Sequence, residues 1–232
     1  MMKINGNEGR PFSILFRGCS FLILYEAGVL AALRELSPDI LKSASRIYGA
    51  SSGSVVATLA LCECDIGKAI KLLKEVLNKY LPTNAHQLVS GKLHVILTRL
   101  RDWKCVLVSE FASREDLIQA ITCSCFIPVY FGLLPPTYHG VRYVDGELCM
   151  WRANFVSRTT ITVSAFAGEY DICPKDCPAA FFTFQLSDCT ESHEAPIAGP
   201  SALTATSPLQ VLNQFFIHGY QDTVSYFKRL SK

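Results

Sequence analysis

Charge is scarce in this 232-residue sequence: Lys and Arg total 22, Asp and Glu total 20, and the formal net charge is +2. Apart from Lys228-Arg229 near the C-terminus, no block of basic residues stands out. The electrostatic footprint of a nucleic-acid binder is missing, and no nucleic-acid partner is expected. No uninterrupted apolar run has the roughly 20 residues that a bilayer-spanning helix needs. The least polar stretch, Leu117 to Gly140, is free of charge but contains Pro128, Pro135 and Pro136. Those prolines break a spanning helix, so the stretch is expected to be buried or interfacial and the protein not integral. Met1 to Arg10 is polar and interrupted by Gly6 and Gly9, without the apolar centre of a secretory signal.

The sequence has ten cysteines but lacks zinc-ligand spacing. Cys62/Cys64 and Cys123/Cys125 have one intervening residue, Cys173 and Cys177 stand four apart, and nothing forms two sets of two-residue-spaced ligands. Reduced and mostly buried thiols in an intracellular protein are the expectation.

Hydrophobic residues, in contrast, make up 50% of the chain. That suffices for one domain with a sizeable core. Ser13 to Phe16 suits a first buried strand, and Phe21 to Leu36 a helix with apolar residues at three- and four-residue steps. Ile47-Tyr48 ends a second strand, Gly49 to Gly53 turns sharply, and Val55 to Leu61 continues as a helix apolar enough to be buried all round. Ile66 to Tyr80 reads as an amphipathic helix stopped by Pro82. Leu93 to Leu97 and Val106 to Val108 read as buried strands around a turn at Arg101-Asp102. Ser113 to Asp116 has the form of a capping box before a helix from Asp116 to Thr122. Val141 to Val144 and the β-branched Thr159 to Val163 are further strands. Val211 to Leu230 should be helical, with Leu212, Phe215, Phe216, Tyr220, Val224, Phe227 and Leu230 on one face. Strands alternating with helices predict an α/β fold with three layers, α/β/α, around a mostly parallel sheet. Residues 12–180 would form the domain, 181–208 an irregular segment, and 209–232 a C-terminal helix packed on the same domain.

The main chemical signal is Gly49-Ala50-Ser51-Ser52-Gly53, a G-x-S-x-G pentapeptide between a strand and an apolar helix. Small residues at Gly49 and Gly53 let the chain turn tightly and project Ser51 as a nucleophile. The helix start beneath Ser51 sets backbone N–H groups near developing negative charge. A plain capping turn, with Ser51 or Ser52 as N-cap, is the simpler alternative. A serine hydroxyl needs a base. His193 or His218 would complete a serine–acid–histidine triad, but His193 sits in the irregular segment and His218 inside the C-terminal helix. Asp145, at the end of a predicted strand and followed by Gly146, falls at the carboxyl edge of the sheet, where sites of open α/β folds lie. It also fits an ordinary Asp-Gly turn.

Three segments occur in a telling order: Gly18-Cys19-Ser20-Phe21-Leu22, the elbow Ile47 to Gly53, and Val141-Arg142-Tyr143-Val144-Asp145-Gly146. With Ser90 to Val95, Cys123 to Tyr130 and Asp171 to Pro178, they resemble the patatin-like phospholipase family in its animal adiponutrin and triglyceride-lipase branch. They run closest to the member implicated in epidermal acylceramide synthesis. The resemblance implies a Ser-Asp dyad that hydrolyses or transfers acyl groups of acylglycerol or phospholipid esters without metal or cofactor. Ser51 would be the nucleophile, Asp145 the base, and the backbone N–H groups of Gly18, Cys19 and Ser20 the oxyanion hole. It further implies a lipid substrate met at a membrane or lipid-droplet surface from the cytoplasm, with room for a protein coactivator.

Four departures from the family pattern carry expectations. Ser20 and Ile23 replace the second and third glycines of a G-x-G-x-x-G loop, and a left-handed backbone at β-branched Ile23 would be an outlier. Glu147 stands where the family has glycine or a small residue; it should raise the pKa of Asp145 or need a partner of its own. Near Tyr80 the chain is shorter than the family by about two dozen residues, a helix's worth. The segment from Leu186 to Pro208 also departs. The alternatives to an active enzyme are a catalytically impaired lipid-surface or protein-interaction module with the same fold, and a Ser-His-acid esterase.

Overall fold

Apolar runs of four to seven residues can be strands only where both faces and both edges are covered, and the sheet arranges this for its middle members. The computed structural model describes residues 11–19, 22–64, 73–128, 131–150, 159–175 and 208–231. Four strands run parallel to one another: β1 (Ser13–Phe16), β2 (Arg46–Ala50), β3 (Leu93–Arg99) and β7 (Thr160–Val163). Three more, β4 (Lys104–Val108), β5 (Thr137–Tyr138) and β6 (Val141–Val144), complete the sheet in the order β5-β6-β3-β2-β1-β7, with β4 also on β3. β4 and β6 run antiparallel to β3. The fold is therefore α/β with a mixed, mostly parallel sheet flanked by helices, as the alternation of elements implied.

Alternate side chains divide the strands between two faces. Ile14, Phe16, Ile47, Val95, Leu97 and Val163 join the main core, whereas Leu15, Ala50 and Ile96 meet Cys149 in a smaller cluster on the other side. Helices α1 (Ile23–Leu36), α3 (Ser52–Leu61) and α6 (Arg114–Ser124) supply the main core. Every residue of α3 from Ser52 to Ala60 is buried, which explains a helix with no polar face. Ser113 caps α6 as expected: its Oγ accepts from the Asp116 N–H at 3.1 Å. The Asp116 carboxylate reaches back to the Ala112 N–H at 3.0 Å, one residue beyond the N-cap N–H of the usual box.

The C-terminal helix α8 (Pro208–Leu230; intervening short helices are α2, Ile40–Ser43; α4, Leu73–Tyr80; α5, Ala85–Val89; and α7, Glu147–Met150) packs along α1. Two glycines permit that contact. A Cβ at Gly28 would lie 1.9 Å from the Phe216 carbonyl oxygen, and one at Gly219 2.0 Å from that of Tyr25. Backbones touch, so any side chain at either glycine would push the helices apart. The Tyr25 hydroxyl, donating to Asp222 at 2.7 Å, fixes the register.

Four expectations change. β4 is a half-exposed edge strand, with Leu107 exposed, because only its β3 side is paired. Leu117 to Gly140 divides: Leu117 to Phe126 is mostly core, but Ile127, Phe131, Leu133 and Leu134 are exposed. The α8 face is narrower than its apolar residues suggested, since Leu230 is exposed while Thr223 and Gly219 are buried. Not all thiols are free: Cys105 of β4 and Cys149 of α7 form a disulfide, because the register that brings β4 beside β3 also sets these two residues side by side. Cys19, Cys62, Cys64, Cys123, Cys125 and Cys173 are free, four of them buried. The expected helix start at 66–72, the irregular segment up to Ser207 and His193 lie outside the described residues. No helix among the described residues is long and apolar enough to cross a membrane.

Candidate active site

One edge of β3 brings the two predicted site residues together. β4 occupies one edge from Val95 to Arg99, so β2 and β6 must share the other. β2 ends with Ala50 opposite Ile96, and β6, running the opposite way, ends with Val144 opposite Thr98. The two strands approach head to head, and the next residue of each, Ser51 and Asp145, leaves the sheet at the same level. The Ser51 hydroxyl donates to Asp145 Oδ2 at 2.6 Å, and both residues are buried.

Ser51 adopts φ 51° and ψ −131°, a conformation that a non-glycine residue avoids. Strain of this kind costs about 1–3 kcal/mol and persists where surrounding structure enforces it. Here the surroundings are explicit. The Ser51 N–H donates to Ser124 Oγ at 2.9 Å, and that hydroxyl donates onward to the Ile96 carbonyl at 2.7 Å. The Ser51 carbonyl accepts from the Ser54 N–H and Oγ at 2.9 and 2.6 Å. A Cβ at Gly53 would lie 2.3 Å from the Phe16 carbonyl, and one at Gly49 2.5 Å from the Ser54 Cα, so the tight turn needs both glycines. Although Ser51 holds the N-cap position of α3, it makes no side-chain cap bond. Ser51 is therefore no side-chain cap, because its hydroxyl is spent on Asp145.

Asp145 is held from four directions. Its N–H donates to the Phe126 carbonyl at 2.9 Å, and its own carbonyl accepts from Thr98 Oγ1 at 2.6 Å. Its carboxylate accepts from Ser51 and, through Oδ1, from the Glu147 N–H at 2.9 Å. Burial is the main influence on its acidity and pushes the pKa from 3.8 up to about 6, with the two hydrogen bonds opposing and the Glu147 charge assisting. That value suits a group asked to take a proton near neutral pH. Glu147 meets both expectations, for its charge acts on Asp145 and it has a partner in Arg17 at 2.6 Å.

The glycine-loop residues are near but engaged. The Gly18 N–H donates to Glu147 Oε1 at 2.6 Å, and the Cys19 N–H to Ser52 Oγ at 2.8 Å. Ser20 lies outside the described residues. Ile23 begins α1 and is absent from the residues with positive φ, so the strain expected there does not arise. Under the loop, Glu26 of α1 is fully buried and neither carboxylate oxygen has a hydrogen-bond partner. Burial pushes its pKa well above the usual carboxylate range, with the Cys19 thiol opposing and the Glu147 charge assisting. His218 is exposed on α8.

Similar proteins point the same way as this geometry. The chain is 38% identical to omega-hydroxyceramide transacylase of Homo sapiens, over 97% of this chain and 47% of that protein. It is 36% identical to patatin-like phospholipase domain-containing protein 2 of Rattus norvegicus, over 94% and 51% of the two chains. The chain belongs to the patatin-like phospholipase family. Another family relative, 1-acylglycerol-3-phosphate O-acyltransferase Pnpla3 of Mus musculus, is 34% identical over 94% of this chain and 59% of its own length. The patatin-like chain thus spans about half the length of the curated relatives it matches. No protein-family model matches it. Among solved structures, the crystal structure of VipD from Legionella pneumophila superposes with a TM-score of 0.50 and 13% identity, over 95% of this chain and 67% of that one. At that identity the likeness concerns the fold.

Several residues of this patatin-like site had escaped sequence reasoning: Ser124, Thr98, Ser52, Arg17 and Tyr170. Ser124 had a signal, since it lies within the Cys123 to Tyr130 segment on which the family resemblance rests. The others act through contacts between positions 33 to 153 residues apart, which no local pattern marks.

Proposed function

We propose that this chain is a lipid acyl hydrolase or transacylase in which Ser51 is the nucleophile and Asp145 the general base. The observation that carries the reading is the 2.6 Å hydrogen bond from the Ser51 hydroxyl to a buried carboxylate at a strained strand–helix turn. Ser51 Oγ bonds to the acyl carbonyl carbon as its proton passes to Asp145. Collapse of the tetrahedral intermediate breaks the ester bond, and the same proton returns to the departing alcohol. Water or a second alcohol then attacks the acyl-Ser51 carbonyl carbon as its proton passes to Asp145. When the Ser51 Oγ–acyl bond breaks, that proton returns to Ser51 Oγ, releasing the acid or new ester. Residues 12–180 and the C-terminal helix act here as one catalytic unit.

Acyl-lipid relatives support an ester of a lipid as substrate. So does the apolar loop beside the site. Leu133 is 86% and Leu134 71% exposed, in a segment that follows Phe126, whose carbonyl holds the Asp145 N–H. Exposed leucines next to prolines, in a sequence stretch free of charged residues, suit contact with a membrane or lipid-droplet surface, which would deliver substrate to Ser51. A protein coactivator would bind the same assembly. The test is labelling of the purified chain with a fluorophosphonate. Wild type should be labelled and Ser51→Ala should not; equal labelling of the two would remove Ser51 from this role. A second reading, a lipid-surface module with little turnover, is favoured by the engagement of the Gly18 and Cys19 N–H groups within the protein.

A further inference from the structure

We propose that Glu147 is an internal occupant of the oxyanion position, so that Ser51 reacts only when the Glu147 carboxylate withdraws from the Gly18 N–H. This rests on the reading of Ser51 as nucleophile. It reconciles a fully formed Ser51–Asp145 pair with a loop whose donors are taken.

The geometry is tight. A Cβ at Gly18 would lie 2.6 Å from the Glu147 Cγ and 2.7 Å from the Ser51 Cβ, so the Glu147 stem and the Ser51 side chain converge on one glycine. The carboxylate at the end of that stem accepts the Gly18 N–H at 2.6 Å. A tetrahedral acyl intermediate presents an anionic oxygen within hydrogen-bond reach of such donors. A carboxylate oxygen is an anionic oxygen too, and one N–H cannot serve both. The like charges would also repel.

Glu147 is anchored at both ends. Its other oxygen, Oε2, accepts from Arg17 Nη2 at 2.6 Å and Nε at 3.2 Å. Arg17 in turn donates to the Tyr170 hydroxyl and lies against the Tyr170 ring. At the backbone, the Glu147 N–H holds Asp145 Oδ1. Two residues on, the Cys149 N–H donates to Thr98 Oγ1 at 3.1 Å, and the Cys105–Cys149 disulfide ties the turn to β4. The backbone is fixed, leaving side-chain rotation as the means of release. The Arg17 and Glu147 side chains are 17% and 20% exposed, so the pair borders solvent and has somewhere to go.

The vacated position would bind an external carboxylate, the group that a free fatty acid carries. That consequence separates an occupant from a merely structural ion pair. The experiment uses the full chain as wild type, Glu147→Ala, Glu147→Gln and Ser51→Ala, and measures the rate of fluorophosphonate labelling with and without butyrate. One oxyanion donor is worth about 100- to 1,000-fold in rate. Glu147→Ala should therefore be labelled at least roughly tenfold faster than wild type, and butyrate should slow it while leaving wild type unchanged. Equal or slower labelling of folded Glu147→Ala overturns the proposal, as does equal inhibition of both proteins by butyrate. If Glu147→Ala shows no melting transition, Glu147→Gln decides. Its neutral amide keeps the shape but loses the charge assistance that makes such bonds about twice as strong, so labelling must still rise above wild type. Ser51-dependent labelling that is indifferent to both substitutions removes the occupant and leaves the nucleophile. No labelling of any variant removes the nucleophile as well.

Discussion

The two sides of the Ser51 site contrast. On the Asp145 side, every polar atom aims at one arrangement: Ser124 takes the Ser51 N–H, Thr98 takes the Asp145 carbonyl, and the hydroxyl and carboxylate meet at 2.6 Å. On the Gly18 side, donors of the kind an acyl intermediate requires are satisfied by Glu147 and Ser52. The first side rests on strand ends, which the sheet fixes. The second rests on side chains, which rotate. A site can thus be complete in its nucleophile and base yet closed at the position where charge develops, and positioning a reacting pair is separate from stabilising its transition state.

The comparison breaks most readily at Asp145. Asp145→Asn should lower turnover of a short-chain ester by about 100-fold or more, as expected for loss of a general base. His218→Ala should leave turnover within about twofold. If the histidine variant fell by about 100-fold and the asparagine variant did not, the base would lie on α8 and the Asp145 side would lose its meaning.

Acidity sharpens the same point. With the Asp145 pKa near 6, kcat/KM should fall about tenfold for each pH unit below that value, as the base takes up its proton. The groups acting on Asp145 are the Ser51 hydroxyl, the Glu147 N–H and the Glu147 charge. Stability moves the other way. The folded carboxyl holds its proton more tightly than the unfolded one, so its contribution is fully present below 3.8 and is lost as pH rises through about 6. A flat rate profile between pH 7 and 5 would count against Asp145.

A smaller effect is expected at Ser124. Ser124→Ala strands the buried Ser51 N–H and the Ile96 carbonyl, which should cost about 1–3 kcal/mol in urea unfolding. Labelling should slow by about tenfold as the strained elbow relaxes. Normal stability with normal labelling would show that the elbow is held without it. Least affected should be a Leu133→Asp, Leu134→Asp double variant. Both positions are exposed, so stability should shift by about 0.5 kcal/mol or less and soluble-ester turnover should stay unchanged. Flotation with neutral liposomes should be lost; retained flotation would place the lipid contact elsewhere.

Local pattern determined much of this protein. Ser13–Phe16 and Val141–Val144 are strands over the predicted residues, because short apolar or β-branched runs bounded by breakers suit few other conformations. The elbow was legible for a similar reason: two glycines flanking Ser51 have meaning only where backbones nearly touch. Other features came from sequence-distant partners. The Gly28–Gly219 seam, the exposure of β4, the Cys105–Cys149 disulfide and the Ser124 bridge each join residues that no periodicity links. Sequence put Ser51 and Asp145 at two strand ends and Glu147 where a small residue was expected. Only the tertiary structure, by running β2 and β6 toward each other along one edge of β3, brought the hydroxyl to the carboxylate and turned Glu147 onto the Gly18 N–H. Strand periodicity sets which residues end a strand, but the pairing of strands sets which ends meet.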